Sequence, residues 1–126
     1  MPLYDRVLDN GLTTLDTEAN RLDICHTIPT TYAEATSTYT VGNKLTPSVG
    51  SPAAASPNGR KVTVAQITDG TITATSTDTS DDAQFWALTD TVNSRLLAAG
   101  SLASAQMVTS GNTFTLAAFD IRIPSE

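Results

Sequence analysis

The stretch Lys61-Val62-Thr63-Val64-Ala65-Gln66-Ile67-Thr68-Asp69-Gly70-Thr71-Ile72-Thr73-Ala74-Thr75 decides the fold class. From Lys61 to Thr68 apolar and polar residues alternate, with Val62 and Val64 on one face, as in a half-buried strand. Ile72 and Ala74 then alternate with Thr71, Thr73 and Thr75. Asp69-Gly70 between them is the favoured pair for a two-residue type I′ turn, so the stretch predicts a β-hairpin.

Downstream the pattern continues. Asp78 to Asp82 forms a polar loop, and Ala83 to Thr89, with Phe85, Trp86, Ala87 and Leu88, reads as a strand buried on nearly both sides. The turn Asp90-Thr91-Val92-Asn93-Ser94 leads into a strand from Arg95 to Ala99, which Gly100 should break, and Ala105 to Thr109 extends again. After the Ser110-Gly111-Asn112 turn, Phe114, Leu116 and Ala118 share one face. Phe119, Ile121 and Ile123 take up the opposite phase, which predicts a bulge or bend between Ala118 and Phe119.

Upstream, Leu12, Leu15, Ala19 and Leu22 recur at helical spacing, predicting one or two short helices between Tyr4 and Asn20, with Gly11 as a possible break. Leu22 and Ile24 mark a short strand that stops before Pro29. Thr31 and Glu34 have capping-box spacing and predict a turn or two of helix. Thr38 to Val41 reads as a strand ended by Gly42-Asn43. From Thr46 to Asn58 the chain is rich in Pro, Ser, Gly and Ala, a long loop suited to a mobile contact arm. The expected fold is mainly β: a small antiparallel sandwich or barrel with one or two short N-terminal helices. It forms a single domain over 1–126, with an N-terminal helix/strand segment at 1–43, a Pro/Ser/Ala-rich loop at 44–60 and a β-sheet core at 61–126.

Composition narrows the function. Roughly one residue in six is threonine, a β-branched residue that suits strands. The net charge is −6, and Arg60-Lys61 is the only adjacent basic pair, so neither nucleic acid nor an anionic membrane is an expected partner. Met1-Pro2-Leu3-Tyr4-Asp5 carries no signal-peptide pattern, and no apolar run has the length of a membrane-spanning helix. With Cys25 alone, no internal disulfide forms.

No residue pattern adds up to catalysis, and an enzyme is not expected. His26 is the single histidine, and neighbouring Cys25 should point to the opposite face of a strand. The pair therefore reads as a small buried thiol beside an exposed imidazole. Asp78, Asp81, Asp82 and Ser80 offer oxygens but lack the spacing of a Ca²⁺ loop, and they read as a solvated turn. Phe85 and Trp86 should point to opposite faces, one into the core and one toward a second layer or partner subunit. Trp86 is the residue on which a carbohydrate-binding reading would turn. Catalytic, metal and cofactor-binding residues are all expected to be absent.

The segment Gly11-Leu12 through Glu18-Ala19-Asn20-Arg21-Leu22-Asp23-Ile24-Cys25, then Pro29-Thr30-Thr31-Tyr32-Ala33-Glu34-Ala35, is followed by Gly59-Arg60-Lys61-Val62-Thr63-Val64. Phe85-Trp86-Ala87-Leu88-Thr89-Asp90 and Ser110-Gly111-Asn112-Thr113-Phe114 complete the order. In these motifs the chain resembles a family of small virion-associated proteins encoded among the structural genes of tailed bacteriophages. The resemblance spans nearly the whole chain, least in the Pro-rich loop, and it carries over no functional residue. It implies a virion protein made in the host cytoplasm. Within that setting a capsid decoration (cement) protein is favoured, a homo-oligomer (a trimer first) that sits on the capsid surface and bridges major capsid subunits. In that reading the N-terminal segment and the loop from Lys44 to Arg60 lie on the shell. The alternatives are a tail, neck or baseplate/fibre-attachment component, and a carbohydrate-binding module for host adhesion.

Overall fold

A computed structural model describes residues 4–124, so Met1 to Leu3, where the signal-peptide reading begins, and the last two residues lie outside it. The fold is mainly β, antiparallel throughout, a curled half-barrel with one N-terminal helix. Helix α1 (Asp5–Glu18) is followed by β1 (Arg21–Cys25), β2 (Thr40–Leu45), β3 (Ala53–Ala54), β4 (Arg60–Val64), β5 (Ile67–Ile72), β6 (Ala83–Asp90), β7 (Arg95–Gln106), β8 (Thr113–Leu116) and β9 (Phe119–Ile123). Six strands form one sheet in the order β7-β6-β1-β2-β5-β8, and three form a second in the order β3-β4-β9.

The expected hairpin at 61–75 does not exist. Asp69-Gly70 lies inside β5, where Gly70 pairs with Phe114 of β8, and β4 belongs to the other sheet, paired with β9. Two long strands, 60–72 and 113–123, run antiparallel and cross together from one sheet to the other. Arg60 pairs with Ile123 and Val64 with Phe119 before the crossing; Ile67 pairs with Leu116 and Thr71 with Thr113 after it. The phase flip read between Ala118 and Phe119 is this corner, where a strand must bend to change sheets. Gly70 stays in the strand because the Phe114 ring covers it: a Cβ there would come within 2.2 Å of that ring.

Two further expected breaks are likewise continuous strand. Gly42-Asn43 lies within β2, where a Cβ on Gly42 would stand 2.8 Å from the Thr71 carbonyl oxygen. Gly100 lies within β7 beneath the Trp86 indole, 2.8 Å from where its Cβ would be. In each case glycine marks a close approach inside the sheet rather than a turn. Gly11 does not divide the helix either; α1 is a single helix of 14 residues. Leu8, Leu12 and Leu15 form its buried face, while Leu22 belongs to β1.

Thr31 caps the next turn as its spacing implies, accepting a hydrogen bond from the Glu34 amide at 3.1 Å. The Glu34 carboxylate reaches back one residue further, to the Thr30 amide and hydroxyl, both at 2.8 Å. The turn that follows, Glu34–Thr38, is π-helical. The Pro-rich stretch is not a free arm. Val49 bridges to Val64, the Gly50 amide donates to the Thr63 carbonyl at 2.9 Å, and β3 pairs with β4. The reading of 44–60 as a loop therefore fails at both ends and in the middle: Lys44 and Leu45 close β2, and Arg60 opens β4.

The core lies between the two sheets and α1. Leu12, Leu22, Leu88, Val62 and Val64 are fully buried there, each large side chain contributing about 1.5–3 kcal/mol. Arg60 ties helix to sheet by donating to both carboxylate oxygens of Asp9, at 2.7 and 3.3 Å. A smaller cluster on the other face of the large sheet joins Cys25, Ala35 and Ala87, with Phe85 and Tyr39 against it.

Candidate functional site

The β1–β6 pairing sets Cys25 opposite Phe85, and His26 stands within electrostatic reach of Asp81, but these residues form no common site and each is absorbed locally. Cys25 is fully buried, its thiol 3.6 Å from the Ala35 carbonyl oxygen. Burial, reinforced by the charge of Asp23, pushes the thiol up to about 12, so it stays protonated and unreactive at neutral pH. His26 is half-buried, its Nδ1 2.9 Å from the Thr27 hydroxyl and its ring edge-on to Tyr39 at 5.5 Å.

In the acidic loop the carboxylates of Asp78 and Asp81 each serve their own turn. Asp78 accepts from the Ser80 amide and hydroxyl, capping the 3₁₀ turn Thr79–Asp81. Asp81 accepts from the Thr77 hydroxyl at 2.6 Å and the Thr77 amide, contacts that hold its carboxyl below the usual range. Asp82 is buried with Oδ1 unpartnered. Among the described residues no group of three or more His, Cys, Asp or Glu side chains converges as a metal site would require.

Phe85 and Trp86 divide as their adjacency implies. Phe85 packs on the Cys25 cluster, and Trp86 packs toward the main core. The Trp86 ring rests against Phe119, centroids 4.6 Å apart and tilted by 40°, and over Gly100. That leaves it half-buried rather than offered as a flat stacking platform.

An ion pair inside the sheet went unread in the sequence. Asp23 is fully buried on β1 and accepts from Arg21 Nε at 2.8 Å, Arg21 Nη2 at 3.0 Å and the Thr40 hydroxyl at 2.6 Å. Burial raises its carboxyl above the ordinary value, against the opposing pull of Arg21 and Thr40. The signal was available: residues two apart on a strand share a face, so Arg21 and Asp23 were placed to meet.

An extended feature stands on the open side of the half-barrel. The large sheet curls so that β7 and β8, its two unjoined edges, flank an apolar cleft of about 400 Å³. Leu102, Met107 and Val108 line it from one side and Phe114 and Leu116 from the other, with Ile24 and Ile72 at its floor. Met107 stands 80% exposed at its edge. A bulge in β7 shapes this wall, since Leu102 to Ala105 stand opposite Gln84 alone. From Leu96 to Phe119 no side chain is charged, although the chain carries 13 acidic and 7 basic residues. The open seam is therefore electrically neutral while the rest of the molecule is acidic.

Comparison with known proteins finds no matching family model, no similar curated protein and no similar solved structure.

Proposed function

We propose that the chain is a structural protein of a tailed-phage particle, a capsid decoration protein that works by contact between surfaces and bridges major capsid subunits on the outside of the shell. The observation that supports contact as its task is the neutral seam: an acidic molecule sets aside 96–119, with a half-open apolar cleft, as a surface free of charge. Desolvating such a surface costs little, which suits burial against another protein. Placement on a virion rests on the resemblance of the sequence motifs. A footprint of about 800 Å² per partner suffices for stable docking, a modest share of the chain's 6773 Å². Repetition over a symmetric shell strengthens individually weak contacts.

The test is to mix purified protein with expanded and unexpanded capsid shells, sediment them, and map the particle. Saturable binding to expanded shells, with hundreds of copies on the surface, is the expected result. Failure to bind expanded shells, or density for a handful of copies at the tail or neck, overturns the capsid assignment.

A further inference from the structure

Asn10-Gly11 and Asn58-Gly59 each set an asparagine directly before a glycine. The side-chain amide carbon of an asparagine lies within ring-closing reach of the next residue's nitrogen, and a glycine there has no Cβ to obstruct the approach. The folded chain treats the two pairs differently. Asn10-Gly11 lies inside α1, whose amides are held in the i→i−4 ladder, and closing a ring on the Gly11 nitrogen would open that ladder. Asn10 is exposed all the same, so burial does not separate the pairs. Asn58-Gly59 lies outside helix and strand, in the bend between β3 and β4. The Ala55 amide closes this bend on the Gly59 carbonyl at 3.0 Å, while the Gly59 amide donates to no described residue. The Asn58 carbonyl oxygen accepts from Arg122 Nη2 at 3.1 Å. Asn93 also precedes a small residue, Ser94, but its side-chain nitrogen is engaged by the Asp90 carboxylate at 2.8 Å.

We propose that Asn58 is a self-modifying site, its side-chain amide converted to a carboxylate without an enzyme. The Gly59 nitrogen gives its proton to hydroxide from solvent and attacks the Asn58 Cγ. The N–Cγ bond forms, the Cγ–Nδ2 bond breaks, and the nitrogen departs as ammonia with a proton from water. Water then opens the succinimide ring at either carbonyl, leaving aspartate or its backbone-extended isomer. In sum an amide and a water become a carboxylate and an ammonium ion. Arg122 acts where charge develops. When the Gly59 nitrogen loses its proton, the peptide's negative charge gathers on the Asn58 carbonyl oxygen, the atom to which the guanidinium already donates. Asn10 has the same sequence but neither the open amide nor the cation. The product adds a negative charge to the β3–β4 bend and accumulates with the age of the protein. It is independent of where the protein resides.

Peptide mass spectrometry tests the assignment, on the folded chain and on the chain in urea, both incubated in mildly alkaline buffer. In urea Asn10 and Asn58 should convert at similar rates, since both precede glycine. In the folded chain Asn58 should convert at least as fast as in urea, while Asn10 stays an amide over the same period. Arg122→Leu changes an exposed side chain. It should slow conversion of Asn58 in the folded chain by about two- to tenfold, the rate equivalent of one hydrogen bond, and leave the rate in urea unchanged. Folded protein whose Asn58 outlasts that of the unfolded chain, or whose Asn10 keeps pace with Asn58, would overturn the proposal. So would an Arg122→Leu variant that converts at the wild-type rate when folded, or one slowed equally in urea.

Discussion

At Asp23 a carboxylate sits with no solvent exposure, while its partner Arg21 keeps a fifth of its side chain in water. The two halves of the pair are therefore unequal. Replacing Arg21 with Met strands a fully buried charge with a single hydroxyl donor, from Thr40, and should cost about 3–5 kcal/mol. The double change Arg21→Met, Asp23→Leu removes the charge as well as its partner and should return stability to about the wild-type level. Urea denaturation of the two variants decides it: a double variant no more stable than the single would mean that packing, not the stranded charge, sets the cost. Cys25 permits a second measurement at this scale. A thiol with no exposure, pushed up to about 12, should not react with a chromogenic disulfide until the protein unfolds. Rapid labelling in native buffer would contradict the buried geometry.

At the scale of the element, alternation disclosed most strands and glycine misled. The strands from Arg21, Thr113 and Phe119 were legible because half-buried strands alternate, the strand from Ala83 as an apolar run buried on nearly both sides, and the corner at Ala118 as a change of phase. The same change of phase stands between Val64 and Ile67, where β4 hands over to β5, but Asp69-Gly70 drew the turn into β5 itself, past the handover. Local turn chemistry has no knowledge of an aromatic ring arriving from 44 residues away, and the ring of Phe114 is what makes Gly70 a strand residue. Gly42 and Gly100 repeat the lesson with a carbonyl oxygen and an indole. Gly70→Ala should therefore destabilise by about 1–3 kcal/mol through overpacking. In a Phe114→Ala background the same change should cost much less, a coupling that a double-mutant cycle measures. Equal costs in both backgrounds would remove the ring as the cause. The candidate seam was half legible. Its lack of charge can be counted along the chain, but that β7 and β8 are the two free edges flanking it depends on strand order, which alternation does not encode.

Across the whole molecule the carboxylates set the response to acid. Glu34, Asp69, Asp81, Asp90 and Asp120 are held below their ordinary values of 4.5 and 3.8. The causes are donors from Thr30, Lys44, Thr77 and Asn93, and, for Asp120, from Thr63 and Lys61. A lowered folded-state value means that the unfolded chain binds the proton first. Their stabilisation is complete above those ordinary values and is lost as pH falls through the lower, folded ones. Asp23 has the opposite sign. Its value is raised, so its contribution is fully present below 3.8 and is lost as pH rises through the folded value. Among the described residues, five groups against one make acid destabilising on balance, with Asp23 as a partial offset. Asp23→Asn deletes the offset alone. Its stability, measured by urea denaturation, should fall further behind wild type at pH 3 than at pH 7. A gap that stays constant or narrows with acid would show that Arg21 and Thr40 outweigh burial at Asp23.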